Sequence, residues 1–413
     1  MSNTLKFGGG IWATKKGSTL AYNDQGGNFK PLPFITTRDS IATRVNKEGL
    51  IEVVSNDVPR IDYTDSADGA LLLEPQRTNL ITYSEDFTDS SWTKLGAGTA
   101  STAVVTSNYA ISPDGTSNAS RLQCDLNGGL TSSANQSLIY DTIVGNGDTT
   151  AFIYVKSNTS SSQNFYLANS LNDRITAVAT TEWKKFKLNW NASGNGRTLT
   201  IGTRGSTGSD DTLDLLIWGA QVEEGSYATS YIPTNGTTVT RLAETANGAG
   251  NSDTFNDSEG VLMAEMSNIA NDGTFKFISL SDGTLDNVVW IYYRSADNAI
   301  NFRVLSSAST SFDEIYVAEN STNFNKLALK YKENDFSAWV NGFEVLTDSS
   351  GLTFSSETLN TIEFSRSDDT NHFYGNTKQI QYHNSALTDS ELEQLTSWTS
   401  FTDMANGQLY TIE

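Results

Sequence analysis

Trp183-Lys184-Lys185-Phe186-Lys187-Leu188-Asn189-Trp190 decides the fold class. Phe186, Leu188 and Trp190 fall on one side of an extended chain, and Lys185 and Lys187 on the other. That period of two marks a strand with one face buried. Working outward, Ala151-Phe152-Ile153-Tyr154-Val155 and Asn164-Phe165-Tyr166-Leu167 are apolar runs bounded by Ser, Asn and Thr clusters, as strands usually are. Leu213 to Val222 is a longer apolar run that reads as a central strand. Trp183, Trp190 and Trp218 are expected in the core, with Trp92 the loosest tryptophan by context. Strands at this spacing, separated by Gly and Asp turns, predict a jelly-roll β-sandwich over 76–245.

Residues 246–259, rich in Gly, Asn and Ala and without apolar period, read as a linker. A second strand series opens at Gly260-Val261-Leu262-Met263 and continues through Phe275–Ile278 and Val288–Tyr293. Lys326–Tyr331 turns at Glu333-Asn334-Asp335 into Phe336–Val340. Asn341-Gly342 then supplies the strongest hairpin signal in the chain, because both residues tolerate positive φ. Thr388-Asp389-Ser390-Glu391 reads as a capping box opening a short terminal helix, with Leu392 and Leu395 on its apolar face. This gives a second sandwich over 260–413.

Residues 1–75 hold Pro31, Pro33, Pro59, Pro75 and the Gly8-Gly9-Gly10 run, with strand candidates too few to close a sandwich alone. They are expected to need neighbours or other subunits, as a docking segment would. The fold class expected is all-β: an N-terminal attachment segment plus two β-sandwich (jelly-roll) domains.

Composition agrees. The chain has 413 residues, enough for two or three domains, with 37% hydrophobic, 10% aromatic and only 18% charged residues. The formal net charge of −21 repels phosphate backbones and anionic lipid, which disfavours nucleic-acid and membrane-surface binding. Cys124 is the lone cysteine, so no intrachain disulfide forms. No secretory leader and no membrane-spanning apolar run is recognisable, so synthesis in a reducing cytosol is expected.

Catalysis has little material. His372 and His383 are the only histidines, both late in the chain, and no nucleophile elbow, P-loop or His-Glu-x-x-His motif occurs. The acids sit in turn words such as Asp272-Gly273, Asp282-Gly283 and Asp368-Asp369, where carboxylates bond the turn backbone. Ser209-Asp210-Asp211 with Asp214, and Ser367-Asp368-Asp369, offer oxygen ligands for Ca²⁺ without a defined loop signature, so no cofactor is assigned. Binding has better material. Alternation along Val288–Arg294 puts Val289, Ile291 and Tyr293 on one face and Trp290, Tyr292 and Arg294 on the other. Trp339 lies on a separate strand in a phase that allows it to join them. Trp290, Tyr292, Arg294, Trp339 and Trp92 are the candidate glycan contacts. The bland alternative is that another layer covers this second face.

Several ordered words carry a resemblance. Phe34–Arg38, Ala42–Glu52, Val58–Tyr63, Ala70–Leu80 and Tyr83–Phe87 together resemble the leading segment of phage virion fibre and spike proteins. Ser112-Pro113-Asp114-Gly115-Thr116, Trp183, Trp218–Gly225, Tyr227–Pro233 and Arg241 resemble the carbohydrate-binding-module-like jelly rolls of phage head and tail fibres. Trp339–Gly342 and Leu387–Leu392 resemble laminin-G-like, concanavalin-A-type sandwiches. The Glu-x-Asp-x-x-Glu strand of concanavalin-like glycanases is absent. The resemblance implies a virion location, with residues 1–75 contacting other virion proteins. It also implies a homo-oligomer (trimers being the habit of such fibres) and weak, multivalent binding of host glycans. A purely structural decoration protein, a secreted adhesin and a depolymerase are the alternatives.

Overall fold

A computed structural model describes residues 4–143, 147–169, 174–192, 197–295 and 298–413. Strands take up 50% of the chain and helices 4%, so the all-β expectation holds. The chain divides into two compact units: one comprises 1–49, 54–75 and 242–413, the other 50–53 and 76–241.

The second unit is a sandwich of two antiparallel five-stranded sheets. One runs in the order Thr93–Ala97, Gln136–Ile143, Arg197–Arg204, Gln163–Ala168, Arg174–Ala179. The other runs Val104–Ala110, Ala119–Asp125, Thr212–Glu224, Gly147–Ser157, Lys184–Ala192, which puts the long apolar strand in the centre as expected. Leu188 and Trp190 turn inward, joining Ile139, Ile153, Phe165, Ile201 and Ile217 in one core, with Phe186 packed against it. Trp183 departs from expectation: it is only half-buried, and its Nε1 donates to the Ile111 carbonyl. The residues at the two ends of the 76–241 excursion meet, Arg77–Asn79 pairing with Val239–Arg241.

The first unit corrects the expected domain division. Residues 1–75 do not stand apart as a docking segment. Thr4–Gly8 lies between Gly375–His383 and Tyr22–Asp24, with Leu5 opposite Tyr382 and Phe7 opposite Ile380. Ala70–Leu73 also pairs with Gly375–His383. Leu5, Phe7, Phe34, Leu71 and Leu73 share one core with Leu262, Ile291, Phe302, Leu329 and Ile380. The partners that the short N-terminal strands need are therefore in the same chain, more than 300 residues on. The stretch read as a linker is also part of this unit. Thr245–Asn247 pairs with Phe34–Thr37, and Ala246 and Ala249 are fully buried. Its small residues permit close backbone approach: at Gly250 a Cβ would meet the Phe255 ring at 2.2 Å.

Buried charges join the two sequence stretches where the chain leaves and re-enters this unit. Arg60 donates to Glu244 and is ion-paired with Glu74 at 2.9 Å, while Arg38 reaches Glu244 at 2.6 Å. Burial alone disfavours a charged Arg60, but Glu244 and Glu74 outweigh it and hold the guanidinium above its ordinary pKa. The Glu74 amide also donates to the Glu244 carboxylate, and the Glu244 amide to the Glu74 carbonyl.

The turn and cap expectations agree with the structure. Asn341 (φ 51°) and Gly342 (φ 92°) join Phe336–Val340 to Phe343–Asp348. Thr388 caps Asp389–Thr396 in a capping box with Glu391, and a second short helix, Phe401–Gly407, follows.

Candidate functional site

The aromatic face expected at Val288–Arg294 is a covered one. The alternation is as read, with Val289, Ile291 and Tyr293 in the inter-sheet core. On the other face Trp290 and Tyr292 are only 5% and 6% exposed, closed in a satellite cluster with Phe277, Val288 and Leu305. Phe277 stacks on Tyr292 with centroids 4.1 Å apart, and Trp290 donates from Nε1 to Ser367 Oγ at 3.0 Å. Arg294 is half-buried and bonded to Asn301 Oδ1. Trp339 does not join them. It lies in the other sheet, 5% exposed among Val261, Met263, Ala328 and Leu392, the last on the helix Asp389–Thr396. Trp92 is 1% exposed, packs on Phe87 at 4.8 Å and donates to the Tyr83 carbonyl. None of the four aromatic candidates offers a ring face to a sugar. Their indole and phenol rings bury too much apolar surface to be left in water where a neighbour is available to cover them.

The calcium candidates also resolve into protein contacts. Asp210 accepts from Asn164, Asp211 from the Gly128 amide, and Asp214 from Arg121 and Asn158. Asp368 is held by Arg366 and Thr370, which depress its pKa well below the usual carboxylate range. Among the described residues no group of three or more His, Cys, Asp or Glu side chains converges. The turn acids behave as read: Asp272 Oδ1 accepts from the Thr274 amide and hydroxyl, and Asp282 Oδ1 from those of Thr284. His383 is half-buried in its strand, where burial, with Lys6 adding to it, pushes its pKa down to about 4.

A different site emerges in the unit of 76–241. An open cleft of about 400 Å³ is lined by Tyr83, Glu85, Asp86, Ser107, Asn108, Asn118, Pro233, Thr234 and Asn235. Four stretches of chain build it. Along Val104–Ala110 the register slips between Thr106 and Ala110, and Asn108 takes φ 52°, so residues 107–109 arch out of the sheet as one wall. Tyr83 bridges to Asn235 on the opposite side, and the Ser84 and Thr234 backbones bond across. Asn118 precedes the strand Ala119–Asp125 and supplies part of the lining between them.

Below the lining runs a hydrogen-bond chain. Ser84 Oγ lies 2.6 Å from Tyr231 Oη, which donates to Glu85 Oε1 at 2.9 Å. Glu85 Oε2 accepts from Asn118 Nδ2 at 3.0 Å, and the same Nδ2 donates to Asp114 Oδ2 at 3.0 Å. Burial raises the Glu85 pKa against the two hydrogen bonds it accepts, and Asp114 adds to the rise. Burial, then the neighbouring Glu85, holds the Tyr231 phenol well above its ordinary value, so it stays a neutral donor. At Asp114 burial alone would raise the pKa, but hydrogen bonds from Ser112, Thr116 and Asn118 outweigh it and lower it.

Because two carboxylates bracket Asn118 Nδ2, the amide orientation is fixed and Oδ1 is left as an acceptor. That oxygen is buried and has no hydrogen-bond partner. The site is thus a polar cleft with amides, hydroxyls and carboxylates around one phenol ring and one proline. The residue words Tyr83–Phe87, Ser112–Thr116 and Tyr227–Pro233 were each visible in the sequence. Nothing in it placed them side by side, and Ser107, Asn108, Asn118 and Asn235 carried no signal.

No protein-family model matches the chain, and no curated protein matches it at a significant level. Solved structures do. The carbohydrate-binding module of Ruminococcus gnavus IT-sialidase, bound to alpha2,3 sialyllactose, matches at 17% identity over 34% of this chain and 84% of that one, with a TM-score of 0.30. The tandem carbohydrate-binding modules of Paenibacillus barcinonensis Xyn10C match at 13% identity over 75% and 98%, TM-score 0.26. Domains LG4-5 of the mouse laminin alpha1 chain match at 12% identity over 73% and 93%, TM-score 0.25. These three are carbohydrate-binding modules and laminin G domains; at these TM-scores they carry no argument about ligand or activity.

Proposed function

We propose that this chain is a non-enzymatic surface protein of a bacteriophage particle that engages host-surface glycans through the cleft of its 76–241 unit. The observation that carries the binding half is the cleft itself: a small-ligand-sized, open, polar depression lined by three asparagine side chains, a threonine, a serine and two carboxylates. The phage half rests on the ordered words between Phe34 and Phe87. Attachment to the particle then falls to the first unit as a whole, since residues 1–75 are woven into it. A site this open holds one sugar weakly, and multiple copies in an oligomer supply avidity.

The test is binding of the full chain, presented as a multimer, to a glycan array and to whole host cells. Dose-dependent binding that free oligosaccharide competes away supports the reading. Complete absence of binding favours a purely structural decoration protein. The burial of Trp92, Trp290, Tyr292 and Trp339 is the observation on that side.

A further inference from the structure

The composition of the cleft wall narrows the ligand beyond "a glycan". Lys and Arg are missing from the described lining, which instead carries Glu85 and Asp86, with Asp114 directly behind Asn118. The remaining polar groups, on Ser107, Asn108, Asn118, Thr234 and Asn235, are neutral. From these we infer that the cleft takes the neutral, hydroxyl-rich end of a saccharide and rejects saccharides carrying carboxylate, sulfate or phosphate. This rests on the glycan reading above and specifies its substrate class.

The argument is one of matched donors and acceptors. A sugar hydroxyl donates one hydrogen bond and accepts others, and a carboxamide does both through separate atoms. Asn118 lines the cleft with its Nδ2 committed to Glu85 and Asp114, so it holds the carboxylates in place behind the wall. Glu85 has each oxygen already engaged by a protein donor, which fixes its orientation while leaving further lone pairs for a second hydroxyl. Asn108 and Asn235, exposed on opposite walls, offer both kinds of group to whatever lies between. An anionic substituent has no partner here. It would bring a like charge up to Glu85 and Asp86, with no cation in the described lining to offset it. Tyr83 and Pro233 supply the apolar surface on which the C–H face of a pyranose ring packs.

The experiment uses the full chain against two sets of probes: neutral oligomers of glucose, galactose and N-acetylglucosamine, and their sialylated, uronate-bearing and sulfated counterparts. Neutral probes are expected to bind at least roughly tenfold more tightly than anionic ones, with the gap narrowing as salt rises from low to about 0.5 M as screening shortens. Asn235→Ala and Asn108→Gly, the latter suited to the positive φ at 108, should each weaken neutral binding roughly two- to tenfold while the melting temperature holds. Glu85→Gln should shrink the neutral-over-anionic preference. Anionic probes binding as well as neutral ones, or neutral binding indifferent to both wall substitutions, would overturn the inference while leaving glycan binding itself intact. Absence of binding to every probe would bring down the proposed function along with it.

Discussion

Phe7→Ala tests whether the N-terminal residues belong to the core of the first unit. Phe7 is 2% exposed, in edge contact with Trp12 at 4.9 Å, Phe34 at 5.1 Å and Phe364 at 6.1 Å. Truncating a buried phenylalanine costs about 3–5 kcal/mol through lost transfer energy and the cavity left behind. For a unit in the 150–250-residue class that is a fall of roughly 6–20 °C in melting temperature. Calorimetry should show that fall in one unit's transition and leave that of 76–241 unchanged. Amide exchange should show the strand Gly375–His383 losing protection, since Phe7 and Ile380 are register partners. A cycle with Phe364→Ala should give a coupling of about 0.5–1.5 kcal/mol for the ring pair. Deleting residues 1–75 altogether should unfold the first unit. A transition that moves by less than about 2 °C, or unchanged protection of Gly375–His383, would refute the claim. The N-terminal segment would then be separable, as a free anchor requires.

Three further outcomes follow from buried polar groups. Glu244→Ala leaves Arg38 and Arg60 buried beside one another and should cost about 3–5 kcal/mol by chemical denaturation, far more than substitution of an exposed glutamate. Burial, with Asp369 adding to it, raises the Glu363 pKa to about 7. Its contribution to stability is therefore full below about pH 4.5 and is lost as pH rises through about 7. Glu363→Gln should be more stable than the parent at pH 8, and the difference should vanish near pH 4. The Cys124 thiol, pushed up to about 12 by burial, should resist iodoacetamide in the native protein and react once denatured. Fast native labelling would contradict the burial.

How much of this was legible in the sequence depends on the range of the signal. Local rules read well. The two-residue period at Phe186–Trp190, the Asn341-Gly342 turn, the Thr388–Glu391 box and the Asx turns at Asp272 and Asp282 each involve residues within a few positions of one another. Burial of an outer sheet face read badly, because whether Trp290 and Tyr292 are covered depends on Phe277, Leu305 and Ser367, which no alternation pattern ties to them. Domain membership was hidden for the same reason. The N-terminal strands look incomplete because their partner strand is Gly375–His383, and adjacency in a sheet leaves no trace in local periodicity. The linker reading failed through composition: Ala246, Gly248, Ala249 and Gly250 are small because the backbone packs closely there, which looks in sequence like a flexible run.

The cleft shows how function escapes a motif reading even when the motifs are recognised. Tyr83–Phe87, Ser112–Thr116 and Tyr227–Pro233 all meet around it, yet many of their polar atoms are engaged inside the protein, with one another or with Gln221, Glu223 and Arg241. Ser112, Asp114 and Thr116 close a turn, and Tyr231 ties Ser84 to Glu85. These contacts make the words a frame for the cleft. The lining residues Ser107, Asn108, Asn118 and Asn235 lie just outside the words. Frame residues are constrained by each other, whereas rim residues such as Asn108 on its bulge and Asn235 on its return loop can change without disturbing the hydrogen-bond chain below. Ligand choice in such a design is set by a handful of exposed side chains that carry no structural signature. Substitutions at Asn108 and Asn235 should therefore redirect binding at little cost in stability, and substitutions at Ser84 or Tyr231 should lower stability and binding together.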